Sequence, residues 1–197
     1  ANVLFIVPGN NDTRRRGISF PKNLVLNDAI AISNQVPTVK KVAPQISTNE
    51  IVQSNSKSLS ISIAGVTPEF LDVRSFEIDK GRFISKSDVK SARSYVVIGP
   101  DLQEEFFSKR SSSIGESIRI KDHTYEIIGI LKPKGAVFGN NQDKNAYIPL
   151  STMVNRITGK DPTYGVSLSF ISVEAINKNK TSAAKFQITN LLRQRHK

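Results

Sequence analysis

Cysteine and tryptophan are both absent from this chain of 197 residues. Without cysteine the chain has no disulfides, no thiolate nucleophile and no cysteine-ligated metal centre. This absence does not place the chain in a reducing compartment. Histidine is scarce as well, with only His123 and His196. Neither histidine has a convergent partner in the sequence, so we expect both to be solvated or lightly packed rather than catalytic or metal-binding.

Long hydrophobic runs and nucleotide-binding motifs are also missing. No apolar run approaches the roughly 20 residues that cross a membrane, and neither end resembles a signal peptide. The sequence has no G-x-S-x-G, G-x-x-x-x-G-K-[ST] or G-x-G-x-x-G motif. The loop at 140–143 lacks the glycine and the final glutamate of a calcium-binding loop. Glu104 and Glu105 are neighbours on a predicted helix and point in different directions, so they do not form an acid–base pair.

The chain carries an excess of positive charge, with 28 basic and 17 acidic residues and a net charge of +11. Such an excess fits either an anionic partner, such as nucleic acid, or a solvated basic surface. The pattern favours the solvated surface, because the basic residues are scattered and only Arg14, Arg15 and Arg16 form a tight cluster. We interpret that cluster as a flexible basic loop, with binding of phosphate or of an acidic partner surface as the alternative.

Hydrophobic residues make up 38% and charged residues 23%, as in globular proteins, and the length suits one large or two small domains. Each end of the chain has the pattern of a strand–helix unit, whereas the middle is rich in strands. The predicted strands are 3–7, 39–47, 50–53, 58–63, 95–98, 117–120, 124–131, 146–149 and 166–174. The predicted helices are 27–35 capped by Asn27, 67–73 capped by Thr67, one beginning at Pro100, 151–157 capped by Ser151, and 181–195. The sequence therefore predicts an α+β fold in which one small domain is inserted into another.

The stretch from Glu126 to Gly159 is the most informative part of the chain. It combines a strand, a Lys-Pro-Lys-Gly turn, a polar Asn/Asp loop and a short strand that leads directly into a helix. Shorter motifs come before it, in this order: an opening strand at 4–9, Gly-Val-Thr-Pro-Glu-Phe at 65–70, Gly-Arg-Phe at 81–83, Val-Ile-Gly-Pro at 97–100 and Ile-Gly-Glu at 114–116. This ordered set resembles the periplasmic core domain of MacB-like ABC-transporter permeases.

The resemblance implies a fold and a function. It implies a split, porter-like subdomain of residues 1–64 and 166–197, carrying an inserted, strand-rich, sabre-like subdomain of residues 65–165. It also implies a non-catalytic periplasmic domain of an inner-membrane protein, held between membrane helices of its own chain. Consistent with such a segment, the chain starts without methionine and ends in a basic helix.

In that family, ATP is bound by a separate cytoplasmic domain, and the periplasmic domain transmits the resulting motion. The implied partners are a second permease copy, a periplasmic membrane-fusion adaptor and, through the adaptor, an outer-membrane channel. No cofactor, metal or nucleic acid is implied for this part. The loops 10–20 and 138–145 are the expected partner contacts. The residues concerned are Arg14, Arg15, Arg16, Phe138, Asn140, Asn141 and Asp143.

Two alternatives from other classes remain open at this point. A freestanding basic α+β binding protein would bind nucleic acid or another anionic polymer, and its binding would depend strongly on salt. A hydrolase would assemble its site from residues far apart in sequence, and that site would be a concave pocket with perturbed acid groups. Neither alternative has a motif in this sequence.

Overall fold

A computed structural model of the chain describes residues 2–9, 19–20, 23–108, 112–137 and 140–196. Strands dominate it, with short helices on the surface of the sheet and one longer helix at the end. None of the described helices combines the length and the apolar character needed to cross a membrane. The predicted α+β class is confirmed by likeness to solved structures, reported below.

The elements follow one another with short connections. The strands are β1 (Val3–Pro8), β2 (Ser19–Phe20), β3 (Val39–Ser54), β4 (Lys57–Val66), β5 (Ile78–Gly81), β6 (Tyr95–Ile98), β7 (Ser117–Ile120), β8 (His123–Leu131), β9 (Ala136–Val137), β10 (Asn140–Asn141), β11 (Ala146–Pro149) and β12 (Phe170–Ala175). The α-helices are α1 (Leu26–Gln35), α2 (Glu69–Val73), α3 (Lys86–Lys90), α4 (Pro100–Phe107), α5 (Leu150–Met153) and α6 (Thr181–Arg195). Two 3-10 turns (Gln142–Lys144, Lys178–Lys180) and one π-helical turn (Val154–Thr158) complete the described structure.

Strand β3 is the central element of the fold. Its first half, 39–45, pairs with β12, whereas its second half, 46–54, pairs with β4. On the far side of β12 lies β1, which pairs with β2. One strand of 16 residues therefore belongs both to the sheet formed by the chain ends and to the strands formed by its middle.

Beyond this point the strands close into a ring. The hydrogen-bonded order is β3-β4-β11-β6-β8-β7, and β7 pairs with β3 again at Val52 and Gln53. Side chains on one face of each strand meet inside such a ring. The buried residues from these strands that join the larger core cluster are Val42, Ile46, Val52, Ile61, Ile63, Val96, Ile98, Ile118, Ile120, Tyr125, Ile127, Ile130, Ala146 and Ile148.

A second core cluster lies on the other face of the ring strands, under α2. Phe70, Phe76, Phe83 and Tyr147 form its aromatic centre, with the Phe70 and Phe83 rings stacked 6.0 Å apart. Phe70, Phe83, Phe106 and Phe107 are all buried. This aromatic layer fixes α2 against β3, and that position determines the site described below.

The prediction of two strands at 39–47 and 50–53 was wrong. The chain forms one strand, β3, and Pro44 lies within it opposite Ile171 of β12. Proline is tolerated there because the pairing with β4 begins only at Ile46, so the strand has no partner on that side at residue 44. The proline marks the change of partner rather than the end of a strand.

The three predicted helix caps were also wrong, because none of these side chains makes a capping hydrogen bond at the start of its helix. Asn27 lies inside α1, where the Asp28 carboxylate accepts from the backbone N–H of Val25 (2.9 Å). The Thr67 hydroxyl has no partner among the described residues, and the Ser151 hydroxyl donates to the carbonyl of Val89. The short helix α3, which was not predicted from the sequence, is capped by Ser85, whose hydroxyl accepts from the N–H of Asp88.

The last helix, α6, has the predicted bounds, and Ala184, Ile188 and Leu192 are buried along one face. His123 is exposed, as expected, but His196 is not a solvated residue. Its Nε2 lies 2.9 Å from both carboxylate oxygens of buried Asp28, and Arg195 Nε donates to the same carboxylate. The tertiary fold brings the end of α6 onto the start of α1, a contact that sequence spacing does not reveal.

The subdomain boundaries at residues 64 and 165 stay a prediction. Strand pairing links residues on both sides of these positions, since β3 and β4 belong to the same ring as β6, β8 and β11. The larger core cluster also joins Ile6 and Ile188 from the chain ends to Ile98 and Ile127 from the middle. The described part of the chain is therefore connected through both hydrogen bonds and packing.

Candidate functional site

A cleft of about 520 Å³ opens beside the point where β3 changes partners. Strands β3 and β4 form its floor, α2 one wall, and the loop before β11 the other. Amide and hydroxyl side chains supply most of its lining. The lining residues are Gln45, Ser47, Thr48, Asn49, Ser62, Ala64, Phe70, Arg74, Asn141, Gln142, Asn145, Tyr147 and Phe170.

The polar floor follows from the alternation of a strand. Gln45, Ser47 and Asn49 are two residues apart on β3 and therefore point to the same face. Gln45 Nε2 donates to Ser47 Oγ over 2.9 Å, and the Ser47 N–H donates to Ser169 Oγ over 2.8 Å. These bonds hold the polar side chains in place where β3 leaves β12.

Arg74 is the charged residue of the cleft. It follows α2 directly, four residues after Phe70, so its side chain lies along the same face of the helix as that ring. Its guanidinium carbon is 5.1 Å from the ring centre of Phe5, 5.5 Å from that of Phe70 and 5.7 Å from that of Phe170. The aromatic rings come from β1, α2 and β12, so tertiary folding assembles this cation–π cluster.

Within the described ranges, no carboxylate lies within 4.0 Å of the Arg74 guanidinium, and Arg74 makes no side-chain hydrogen bond there. Burial lowers the pKa of Arg74 from its usual value, and Tyr147 opposes this shift. The direction is the one expected of a cation that has lost water without gaining an anion. The cleft therefore holds a positive charge that the described residues do not neutralise.

Three buried polar atoms among the lining residues also lack a partner in the described structure. They are Gln45 Oε1, Thr48 Oγ1 and the Tyr147 hydroxyl. Burial raises the pKa of Tyr147 to about 12, and the neighbouring Asn145 and Arg74 oppose the shift. Asn145 is close enough to affect this pKa, yet it does not complete a hydrogen bond with the hydroxyl. Buried polar atoms without partners are uncommon in native folds, and three at one cleft indicate a place for another molecule.

Two of the predicted contact residues, Asn141 and Asp143, lie in the loop that forms one wall of this cleft, in different roles. Asn141 is exposed, lines the cleft and donates to Asp101 Oδ2 over 3.0 Å. Asp143 is buried and accepts from the backbone N–H groups of Lys134 and Gly135, so it fixes the turn at the start of the loop. Gly99 packs so closely against this loop that a Cβ on it would lie 2.2 Å from the Asp143 carbonyl oxygen.

The remaining predicted contact residues are not described in this detail. Arg14, Arg15, Arg16 and Phe138 lie outside the described residues, and only the backbone of Asn140 is described. Their roles stay predictions. Over the described ranges, no group of three or more His, Asp or Glu side chains is placed to hold a metal ion.

The central residues of the cleft, Arg74, Gln45 and Tyr147, were not predicted as site residues. Two signals in the sequence point to them. Phe70 and Arg74 have the i, i+4 spacing that brings a ring and a cation together on a helix. The polar alternation Gln45-x-Ser47-x-Asn49 indicates a strand face that does not join the apolar core at these positions.

With this geometry described, the chain can be compared with known proteins. The family described as the MacB-like periplasmic core domain matches residues 1–191. The chain belongs to this family. The resemblance seen in the ordered motifs is thus confirmed over almost the whole chain.

Relatives and solved structures agree with this assignment. The macrolide export ATP-binding/permease protein MacB of Shewanella sp. (strain W3-18-1) is 33% identical over 195 residues, and that of Acinetobacter baylyi is 30% identical over 175. These matches cover 99% and 89% of this chain but only 29% and 26% of the relatives. The chain thus corresponds to less than a third of those proteins.

Among solved structures, the periplasmic region of MacB from Actinobacillus actinomycetemcomitans matches with a TM-score of 0.82 at 24% identity. The match covers all of this chain and 85% of that one. The extracellular domain of the ABC-type transporter YknZ from Gram-positive bacteria matches with a TM-score of 0.78 at 17% identity, covering 99% and 95%. These likenesses show that the MacB-like domain described here has the fold of both. The chain is a periplasmic domain of a MacB-like ABC transporter permease, an inner-membrane protein.

Proposed function

We propose that this domain catalyses no reaction and transmits ATP-driven motion across the periplasmic part of a permease dimer. The observation that carries this proposal is the continuity of β3. Because its two halves pair with β12 and β4, a displacement of the elements at the chain ends moves the ring as well. A domain connected in this way suits rigid-body motion.

We further propose the partners and the cofactor of the complete permease. A cytoplasmic domain would bind ATP, and a second permease copy would supply the other half of the dimer. A periplasmic adaptor of the membrane-fusion type would dock on the exposed loops and connect the permease to an outer-membrane channel. The names of the relatives support macrolide export as the transport activity to examine first.

Spin labels in the complete permease test the proposed motion. The chain has no cysteine, so introduced cysteines are the only labelling sites in this domain. We choose exposed positions on opposite parts of the fold, Ser182→Cys on α6 and Thr124→Cys on β8. Pulsed electron paramagnetic resonance would measure the Ser182–Thr124 distance within one copy and the Thr124–Thr124 distance between two copies.

Adding ATP should change the distance between the copies and leave the distance within one copy constant. A change within one copy would show that the domain bends, and constant distances throughout would show that it does not move. Either result overturns the proposal.

For docking, Asn141→Glu in the exposed loop should reduce co-purification of an adaptor, whereas Lys160→Glu in another exposed turn should not. Equal capture by both variants would remove this loop from the docking surface.

A further inference from the structure

We infer that the cleft beside β3 is a binding site for a small organic anion whose carboxylate pairs with Arg74. The site would hold an additional ligand of the domain, and it does not depend on the proposed transmission of motion. Three features of the described residues support the inference: a half-buried cation without an anionic partner, a lining without acidic side chains, and buried polar atoms without partners.

The charge of the cleft selects an anion. Removing a guanidinium from water is costly unless an opposite charge or good hydrogen bonds replace the water. Arg74 has three aromatic rings around it but no carboxylate among the described residues, and the lining includes no Asp or Glu. An anion entering the cleft would therefore gain a charge-assisted hydrogen bond without opposing repulsion from the lining.

The shape of the guanidinium selects a carboxylate among anions. A planar guanidinium donates hydrogen bonds along its edge, and a carboxylate matches that edge with two parallel hydrogen bonds. The Phe5 ring beside it is 48% exposed, so an apolar group attached to the carboxylate could lie on that ring.

The rest of the cleft suits the neutral part of such a ligand. Gln45 Oε1 accepts hydrogen bonds, the Tyr147 hydroxyl donates or accepts them, and Asn141 and Asn145 at the opposite wall can do both. Amide groups on the ligand would satisfy these side chains. The volume of about 520 Å³ lies within the range of sites for drug-sized molecules.

N-acetyl-L-phenylalanine is a suitable probe because it combines a carboxylate, an amide and an aromatic ring. Its neutral counterpart, N-acetyl-L-phenylalaninamide, has the same ring and acetyl group but a neutral carboxamide in place of the carboxylate. Isothermal titration and amide chemical shifts of the 197-residue chain would measure both. We expect saturable binding of the carboxylate, shifts at Gln45, Arg74 and Asn145, and binding of the amide that is weaker by about tenfold or more.

Variants locate the binding. Arg74→Gln should weaken binding of the carboxylate by about tenfold or more, and Arg74→Lys should weaken it less because the charge remains. Arg156→Gln is the matched control. Arg156 also lies over a ring, 5.4 Å from the centre of Tyr125, but it is not part of the cleft, so its loss should leave binding unchanged.

Circular dichroism of each variant would establish that it is folded before titration. Equal binding of the carboxylate and the amide, or unchanged binding by Arg74→Gln, would overturn the inference. No binding of the probe by the folded chain would overturn it too. Inorganic phosphate binding as tightly as the carboxylate would show a general anion site and would overturn the assignment to carboxylates.

Discussion

Two arginines of this domain, Arg74 and Arg82, both follow α2 in the sequence and have contrasting surroundings. Arg82 donates to both carboxylate oxygens of Asp88, over 2.6 and 3.2 Å, and lies over the ring of Tyr95. Arg74 lies over three rings and has no carboxylate partner in the described structure. The pKa of Arg82 is raised, mainly by its hydrogen bonds with Asp88, whereas burial lowers that of Arg74.

This contrast separates an arginine that completes the fold from one that leaves a site open. Asp88 is buried and also accepts from the Ser85 N–H at the start of α3. The Arg82–Asp88 pair therefore joins the start of α3 to the end of β5. Arg74 contacts aromatic rings from three elements. Its N–H groups make no hydrogen bond among the described residues, so they remain available to a ligand. Substitutions around Arg82 should therefore affect stability, and substitutions around Arg74 should affect binding.

The largest effect is expected where the backbone of Arg82 meets β8. A Cβ on Gly129 would lie 2.1 Å from the Arg82 carbonyl oxygen, so Gly129→Ala forces the two backbones apart. We expect the free energy of unfolding to fall by about 3 kcal/mol. Gly159→Ala is the control, because that glycine has positive φ but open space around it. We expect this variant to lower the free energy of unfolding by about 1 kcal/mol. Urea denaturation measures the free energy of unfolding of both variants. Equal losses would show that the backbone can move apart at Gly129 at little cost.

The next largest effect is expected at Asp88, because this carboxylate pairs with Arg82, whereas Arg74 has no such partner among the described residues. Asp88→Asn removes a charge-assisted pair and weakens the start of α3, so we expect a loss of about 2 kcal/mol at neutral pH. Asp72→Asn is the control, because Asp72 pairs with Lys41 but is exposed, and its loss should cost less than about 0.5 kcal/mol. Equal losses of unfolding free energy in the two variants would show that burial does not strengthen the Arg82–Asp88 pair.

The same pair gives a pH dependence with a definite sign. Burial acts to raise the pKa of Asp88, but the hydrogen bonds of Arg82 and Ser85 outweigh it, so the pKa is lowered overall. A lowered pKa contributes stability above the unfolded value of about 3.9, and this contribution is lost as the pH falls through the folded value. Urea midpoints of the wild type and Asp88→Asn should therefore differ at neutral pH and converge in acid below about pH 4. A difference in urea midpoint that stays constant with pH would show that the stabilisation does not depend on the charge of Asp88.

These sites also show which parts of the fold can be predicted from sequence. The hairpin of β7 and β8 and the helix α6 were predicted correctly, because turn residues and apolar spacing act locally. The continuity of β3 and the closure of the ring depend on partners far along the chain, which a single sequence does not reveal. The Arg74 cluster is of this kind, since Phe5, Phe70 and Phe170 are brought together only by the fold.

A smaller effect on stability is expected at Arg74 itself. Arg74→Gln removes cation–π attraction but also removes a desolvated charge, so the two changes largely cancel. We expect the free energy of unfolding to change by less than about 1 kcal/mol, measured by urea denaturation. Binding of N-acetyl-L-phenylalanine should be lost in the same variant. A large loss of stability would place Arg74 with Arg82, as an arginine that the fold needs.

The smallest effect, and the one with opposite sign, is expected at Tyr147. Its buried hydroxyl has no hydrogen-bond partner among the described residues, so Tyr147→Phe keeps the ring in the aromatic cluster and removes a group that folding has stripped of water. We expect the free energy of unfolding to rise by about 0.5 kcal/mol, with no change in the exposed control Tyr164→Phe. If the hydroxyl serves a ligand in the Arg74 cleft, the same variant should bind N-acetyl-L-phenylalanine more weakly. A stabler fold that binds less well is the result expected of a binding group, whereas lower stability would show that the hydroxyl has a partner within the fold.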